Sequence, residues 1–207
     1  MSLESVKTAV ETGKVKKIEG LVQETLDGGC TATEILDAMI GVMDDVGDKF
    51  QRNEIFVPEM LVSALTMKKG VAVLKPYLGA GEAVGHGKFI IGTVKGDLHD
   101  IGKNLVAMMV ESAGFEVIDL GVDVPTERFT AALRANPDCR LVGLSALLTT
   151  TMDNMKATAA AIRSEFPSVK IMVGGAPITP EFAQNIGADA YTADAGSAAS
   201  RAKELAD

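Results

Sequence analysis

One run of residues in this 207-residue chain has the types and spacing to do chemistry: Gly96-Asp97-Leu98-His99-Asp100-Ile101-Gly102. His99 is one of only two histidines, the other being His86. An imidazole can give one ring nitrogen to a metal while the other needs a partner that fixes its tautomer. Asp97, two residues upstream, is the candidate partner. Taken alone, a loop histidine flanked by acids is more commonly a solvated surface residue. Further groups stand apart in the sequence: Ser145-Ala146-Leu147-Leu148-Thr149-Thr150-Thr151, then Gly174-Gly175, then Asp194-Ala195-Gly196-Ser197. Each has a bland reading as well. Ser145 could be an ordinary strand-end hydroxyl, and Gly174-Gly175 a plain turn. Asp123 and Pro125 read as a helix start, and Lys103 and Asn104 as the opening of another.

The elements that must position these residues fall into two parts. Residues 1–78 read as helix: Leu3 to Glu11, Val15 to Leu26, a third from Thr31, and a fourth from Pro58 to Tyr77. Thr31 and Glu34 have capping-box spacing, Pro58 suits a first helical position, and Gly28-Gly29 stops the second helix. The expectation is a four-helix bundle. Residues 79–87 carry four glycines in nine positions with no periodicity, and read as a linker. Residues 88–207 then alternate. Strands are expected at Lys88–Val94, Phe115–Leu120, Leu141–Ser145, Lys170–Val173 and Ala190–Thr192, separated by helical stretches. Near-continuous apolar strands alternating with helices imply a parallel sheet covered on both faces. The fold class is therefore α/β: an N-terminal four-helix cap followed by a flavodoxin-like (Rossmann-type), doubly wound, five-stranded parallel sheet. Such sheets bind ligands beyond the carboxyl ends of their strands. All the groups named above lie there.

Composition limits the function classes. Hydrophobic residues make up 47%, charged residues 23% and aromatics 4%, with no Trp, so a core of aliphatic side chains and Met is expected. The net charge of −8, with no basic cluster, argues against a nucleic-acid partner. No apolar run reaches the length of a membrane span. Cys30 and Cys139 belong to no metal-binding spacing and read as reduced thiols of a cytoplasmic protein.

Asp-x-His-x-x-Gly between a strand and a helix, Ser-x-Leu at Ser145 to Leu147, and Gly174-Gly175 form an ordered combination. It resembles the cobalamin (vitamin B12) module of methionine synthase and the corrinoid proteins of methyltransferase systems. Gly47-Asp48-Lys49-Phe50 and Glu54-Ile55-Phe56-Val57-Pro58 resemble the helical cap of the same proteins, so the likeness spans nearly the whole chain. The resemblance implies that His99 replaces the cofactor's own benzimidazole below cobalt, the base-off, His-on mode. His99 is then the one metal ligand, and the displaced nucleotide tail enters a slot beside the sheet. Asp97 would accept a hydrogen bond from His99, and Thr151 would continue the relay where relatives carry serine. Gly96, Leu98, Asp100, Ile101 and Gly102 would frame the histidine. Ser145, Leu147 and Thr149 would contact the tail, Gly143, Gly174 and Gly175 would let it pass close, and Ala195 would sit by its base. Phe56 and Val57, with Phe50, would cover the upper face of the corrin, although core packing is the simpler reading for at least one of the three.

The implied function is that of a methyl carrier in one-carbon metabolism, not catalytic alone. The cofactor is cobalamin or a related corrinoid, cycling between cob(I)alamin and methylcob(III)alamin. The implied partners are a substrate-specific methyltransferase, a second methyltransferase using tetrahydrofolate or a thiol as acceptor, and an ATP-dependent reductive activase. The alternative is a cobalamin-dependent sensor module without methyl transfer. A metal hydrolase using Asp97, His99 and Asp100 would need further ligands. A phospho-receiver would need an aspartate where Ser145 ends the third strand. A radical isomerase would need a large catalytic barrel.

Overall fold

The computed structural model describes residues 3–52, 54–78 and 86–206. By internal contacts the chain divides into two compact units, one of residues 1–85 with 111–114, the other of residues 86–110 and 115–207. Most of the expected linker, residues 79–85, lies outside the described residues.

Among its described residues the first unit holds four helices: α1 (Leu3–Glu11), α2 (Ile18–Asp27), α3 (Ala32–Gln51) and α4 (Val57–Leu74), the last running into a 3-10 turn at Lys75–Tyr77. The capping box at α3 forms: the Glu34 N–H donates to Thr31 Oγ1, and the Thr31 N–H donates to Glu34 Oε2. At α4 half of such a box appears. Glu59 Oε2 accepts from the Phe56 N–H at 2.9 Å, and a phenyl ring cannot supply the reciprocal bond. Val6, Val10, Ile18, Val22, Ile35, Met39 and Leu74 are buried between the helices. At Gly70 the packing is close: a Cβ there would lie 2.6 Å from Met39 Cε.

The second unit is a five-stranded sheet in the order β2-β1-β3-β4-β5, every pairing parallel. The strands are β1 (Lys88–Thr93), β2 (Glu116–Asp119), β3 (Leu141–Ser145), β4 (Lys170–Gly174) and β5 (Ala190–Tyr191). Between and after them run α5 (Ile101–Ser112), α6 (Thr126–Ala135), α7 (Met152–Glu165), α8 (Pro180–Asn185) and α9 (Ala195–Ala206). This is the flavodoxin-like order, with its switch point between β1 and β3.

The two faces of the sheet are unequal. Ile90, Val94, Val142, Leu144, Ile171 and Val173 point to one side and join a continuous core with Phe129, Leu133, Met155 and Ile162 of α6 and α7. The opposite side carries Phe89, Ile91 and Thr93 of β1, in register with Leu141, Gly143 and Ser145 of β3. On β4 the same side shows Met172 and Gly174. Small residues at Ser145 and Gly174 leave an open slot on this side, while the Phe89 ring fills the space over Gly143.

Candidate functional site

The loop from β1 to α5 is fastened at several points before it presents His99. Gly96 takes φ +83°, a conformation side chains resist, and donates its N–H to Asp123 Oδ1 at 2.7 Å. The Asp123 N–H in turn donates to the Asp97 carbonyl at 2.9 Å. Asp123 itself holds φ +52°, the sole non-glycine at positive φ among the described residues. Asn154 Nδ2 donates to the Lys95 carbonyl, and buried Thr93 donates to the His99 carbonyl at 2.9 Å. The histidine is thus held by strand, loop and helix together.

Asp97 has no exposed surface and is met by five hydrogen-bond donors. Oδ1 takes the His99 Nδ1 at 2.7 Å and the His99 N–H at 3.1 Å. Oδ2 takes the Leu147 N–H at 2.7 Å, the Leu148 N–H at 3.2 Å and the Thr151 hydroxyl at 2.9 Å. Thr151 Oγ1 also lies 2.9 Å from the Leu148 carbonyl, but its single proton favours the charged acceptor. Burial alone would raise the Asp97 pKa. The Leu147 N–H, the His99 ring and N–H, and the Thr151 hydroxyl outweigh it and hold the carboxyl well below the usual carboxylate range. An ionised Asp97 can only accept, so the proton of the neutral ring sits on Nδ1 and the Nε2 lone pair is left free. The His99 side chain is 50% exposed, so that lone pair is accessible.

His99 stands at one end of a cleft of about 740 Å³ between the open sheet face and helices α5 and α9. Small-molecule sites typically span about 300–1,000 Å³. Of the residues singled out in the sequence, Leu98, His99, Asp100, Ile101 and Gly102 line the cleft, as do Gly143, Ser145, Leu147, Gly174, Gly175 and Ala195. Gly96, Asp97 and Thr151 lie behind the histidine, and Thr149 is exposed in a 3-10 turn (Thr149–Thr151) away from the cleft lining. Phe56 and Val57 belong to the first unit, at the start of α4, with Phe56 69% exposed.

The glycines divide by cause. Gly175 is required by the protein itself: a Cβ there would lie 1.8 Å from the Ala146 carbonyl oxygen, at φ +132°. Gly102 is not, since a Cβ there would meet nothing within 4 Å. A bare backbone on the first turn of α5, facing the cleft beside His99, suits a large group lying close. A free imidazole nitrogen is a suitable donor to cobalt, and the cleft suits a tail. The residues present therefore fit a corrinoid held from below.

Several contributors escaped the sequence reading. Phe89, Ile91 and Met172 line the cleft, although as strand residues they carry only a core signal. Lys103 also lines it, with a buried ammonium 2.5 Å from Asp119 Oδ2 and 2.7 Å from Asn104 Oδ1. Asp123 is a loop fastener and does not start α6, whose N-cap is Pro125. Both carboxylate oxygens of Asp97 are already taken by hydrogen bonds from the protein, so Asp97 is placed as the partner of His99 and not as a metal ligand. Among the described residues no three of His, Cys, Asp and Glu gather as a metal site. No helix of the described residues is long and apolar enough to cross a membrane.

Comparison with known proteins gives the family. A family model described as a B12 binding domain matches residues 87–202, and a second of the same description matches residues 2–75. The dimethylamine corrinoid protein of Methanosarcina barkeri is 41% identical over 189 residues, covering 89% of this chain and 88% of that one. A cobalamin-binding protein from Desulfitobacterium hafniense DCB-2 superposes with a TM-score of 0.74 at 30% identity, over 99% of this chain and 98% of that one. The methanol:cobalamin methyltransferase complex MtaBC of Methanosarcina barkeri contains a chain that superposes with a TM-score of 0.85 at 26% identity, over 97% of this chain and 78% of that one. The chain belongs to the corrinoid proteins of methyltransferase systems, a family built on B12-binding domains whose cofactor is cobalamin or a related corrinoid.

Proposed function

We propose that this chain is a methyl carrier that holds its corrinoid base-off and His-on, with Nε2 of His99 as the lower cobalt ligand. The observation that carries the reading is the buried, fully hydrogen-bonded Asp97 holding Nδ1–H of His99 at 2.7 Å. That contact selects the tautomer whose Nε2 can donate, and it strengthens the donation. When bound, the corrinoid supplies a cobalt centre able to accept and release a methyl group. The protein supplies position and electronics. Because Asp97 is strongly held as the anion, it polarises the ring and leaves the proton on Nδ1. Thr151 and the Leu147 and Leu148 N–H groups keep the carboxylate from turning away.

Residues 88–207 would hold the cofactor from below, and residues 1–78 would cover its upper face with Phe56 and Val57. A substrate-specific methyltransferase would load the methyl group, a second methyltransferase would remove it to tetrahydrofolate or a thiol, and an ATP-dependent activase would rescue oxidised cofactor. The matched names carry methylamines and methanol, so a small methylated amine or alcohol is the donor class to test first.

The test is to reconstitute the full chain with cobalamin, reduce it, and supply labelled methyl iodide as a surrogate donor. Label should stay with the protein and pass to a thiol when a corrinoid-dependent thiol methyltransferase is added. A cobalamin-loaded protein that takes up no methyl group would contradict the carrier role and favour a sensor.

A further inference from the structure

The slot beside the sheet is graded along its length. Thr93, Ser145 and Gly174 are in register at its mouth, and Phe89 and Leu141 are in register four residues deeper. At about 3.3 Å per residue the two levels lie about 13 Å apart along the strands, and the Phe89 ring reaches back to Gly143, about 7 Å below the mouth. Polar groups sit at the mouth: His99, Asp100, Ser145, Thr192 and the carboxylate of Asp194, which caps α9 by accepting from the Ser197 N–H, with Tyr191 one residue below the Gly174 level. Lys103, one turn into α5 at the same end, already has its ammonium matched by Asp119. The inner end is lined by Phe89, Ile91, Met172 and Val106. Phe89, Ile91 and Met172 are almost wholly buried. Backbone groups of the paired strands are spent in the sheet.

Phe89 sets where the slot stops. Its ring covers the face of Gly143, so that a Cβ on Gly143 would lie 2.5 Å from Phe89 Cζ. The missing side chain on β3 is therefore filled from β1, and the floor is an aromatic face with no hydrogen-bonding edge.

We infer that Phe89 and Met172 make this chain selective for corrinoids whose nucleotide tail ends in a benzimidazole-type base, against those ending in a purine. The inference rests on the base-off reading, in which the tail occupies the slot. A benzimidazole offers mostly hydrocarbon edge to such a floor. Adenine brings an exocyclic amine and several ring nitrogens, and each one desolvated without a partner costs affinity. One such group corresponds to about tenfold in Kd.

The experiment is a visible-spectrum titration of the full-length apoprotein with three probes: the dimethylbenzimidazolyl cobamide, its adeninyl counterpart, and tail-less cobinamide. The expected result is an adeninyl Kd about tenfold or more above the benzimidazolyl one, with His99 ligation in both. Met172→Gln, nearly isosteric and carrying a donor and an acceptor, should narrow that ratio about threefold or more. Adeninyl and benzimidazolyl forms binding within about twofold of each other would overturn the inference while leaving His-on binding intact. Failure of all three to give a His99-dependent spectrum would overturn the base-off reading and this inference with it. The wild-type ratio decides the question even if the Met172 variant folds poorly, and a variant that folds but leaves the ratio unchanged would count against Met172 as a determinant.

Discussion

Replacing Asp97 with asparagine changes one oxygen to an amide nitrogen and little else in volume, yet the structure predicts a specific failure. Oδ2 accepts from two backbone N–H groups, of Leu147 and Leu148, whose direction cannot reverse. The asparagine carbonyl must therefore take that side, and its NH2 must face His99. There it meets the His99 N–H, a donor against a donor, and Nδ1. The stable arrangement has the NH2 donating to Nδ1, which moves the ring proton to Nε2 and occupies the lone pair that cobalt needs. Restoring the ligating tautomer breaks that bond, at roughly 1–3 kcal/mol. Every 1.4 kcal/mol is about tenfold in affinity, so His-on binding should weaken about 10–100-fold. The assay is spectral titration of wild type, Asp97→Asn and His99→Ala with hydroxocobalamin. Asp97→Asn should show the histidine-ligated spectrum only at much higher cobalamin, and circular dichroism should confirm that the fold persists. A variant that keeps the wild-type spectrum and a Kd within about twofold would refute the reasoning about the tautomer.

Other predictions follow from single contacts. Thr151→Val should remove one charge-assisted bond to Asp97 and cost roughly 1.5–3 kcal/mol of stability, while Thr151→Ser should retain cobalamin affinity, both read by thermal melts and titration. Gly175→Ala should destabilise severely, because the Cβ has no space and the backbone is at φ +132°. Gly102→Leu should leave the apoprotein melting temperature nearly unchanged but weaken corrinoid binding about tenfold or more, and a wild-type Kd would remove Gly102 from the site. Asp189, outside the cleft lining, accepts from the Ile171 N–H and from Arg163, with Lys170 near. Burial raises its pKa, and those three partners outweigh it and hold it low. A lowered carboxylate stabilises the fold above the unfolded value of about 3.9, and that contribution is lost as pH falls below it. Asp189→Asn should thus cost roughly 2–3 kcal/mol at pH 7, and the gap from wild type should shrink below about pH 4 in denaturant melts.

Much of this molecule was legible in its sequence because the periodicities are clean. The strand at Leu141–Ser145 and the helix at Thr126–Ala135 fall where apolar runs and turn residues put them. Boundaries slipped where the signal was local. Helix α9 begins at Ala195, earlier than its apolar pattern, because Asp194 caps it, and α2 begins at Ile18 after a turn at Lys14–Lys17. His99 and Asp97 were visible because a polar run interrupts two apolar elements. The slot floor was not, since Phe89, Ile91 and Met172 alternate with core residues on β1 and β4. Only the packing of the two faces shows which side closes and which stays open. Asp123 gave no signal as a fastener because its role depends on a positive φ and a partner 27 residues away.

The central claim is that His99 holds the cofactor from below, and the most direct measurement is the visible spectrum of the reconstituted protein beside that of His99→Ala. The wild-type protein should be red with a base-off, histidine-ligated spectrum, and the variant should lose that ligation while its fold remains. An unchanged spectrum in His99→Ala, or a folded wild type that takes up no cobalamin, would contradict it.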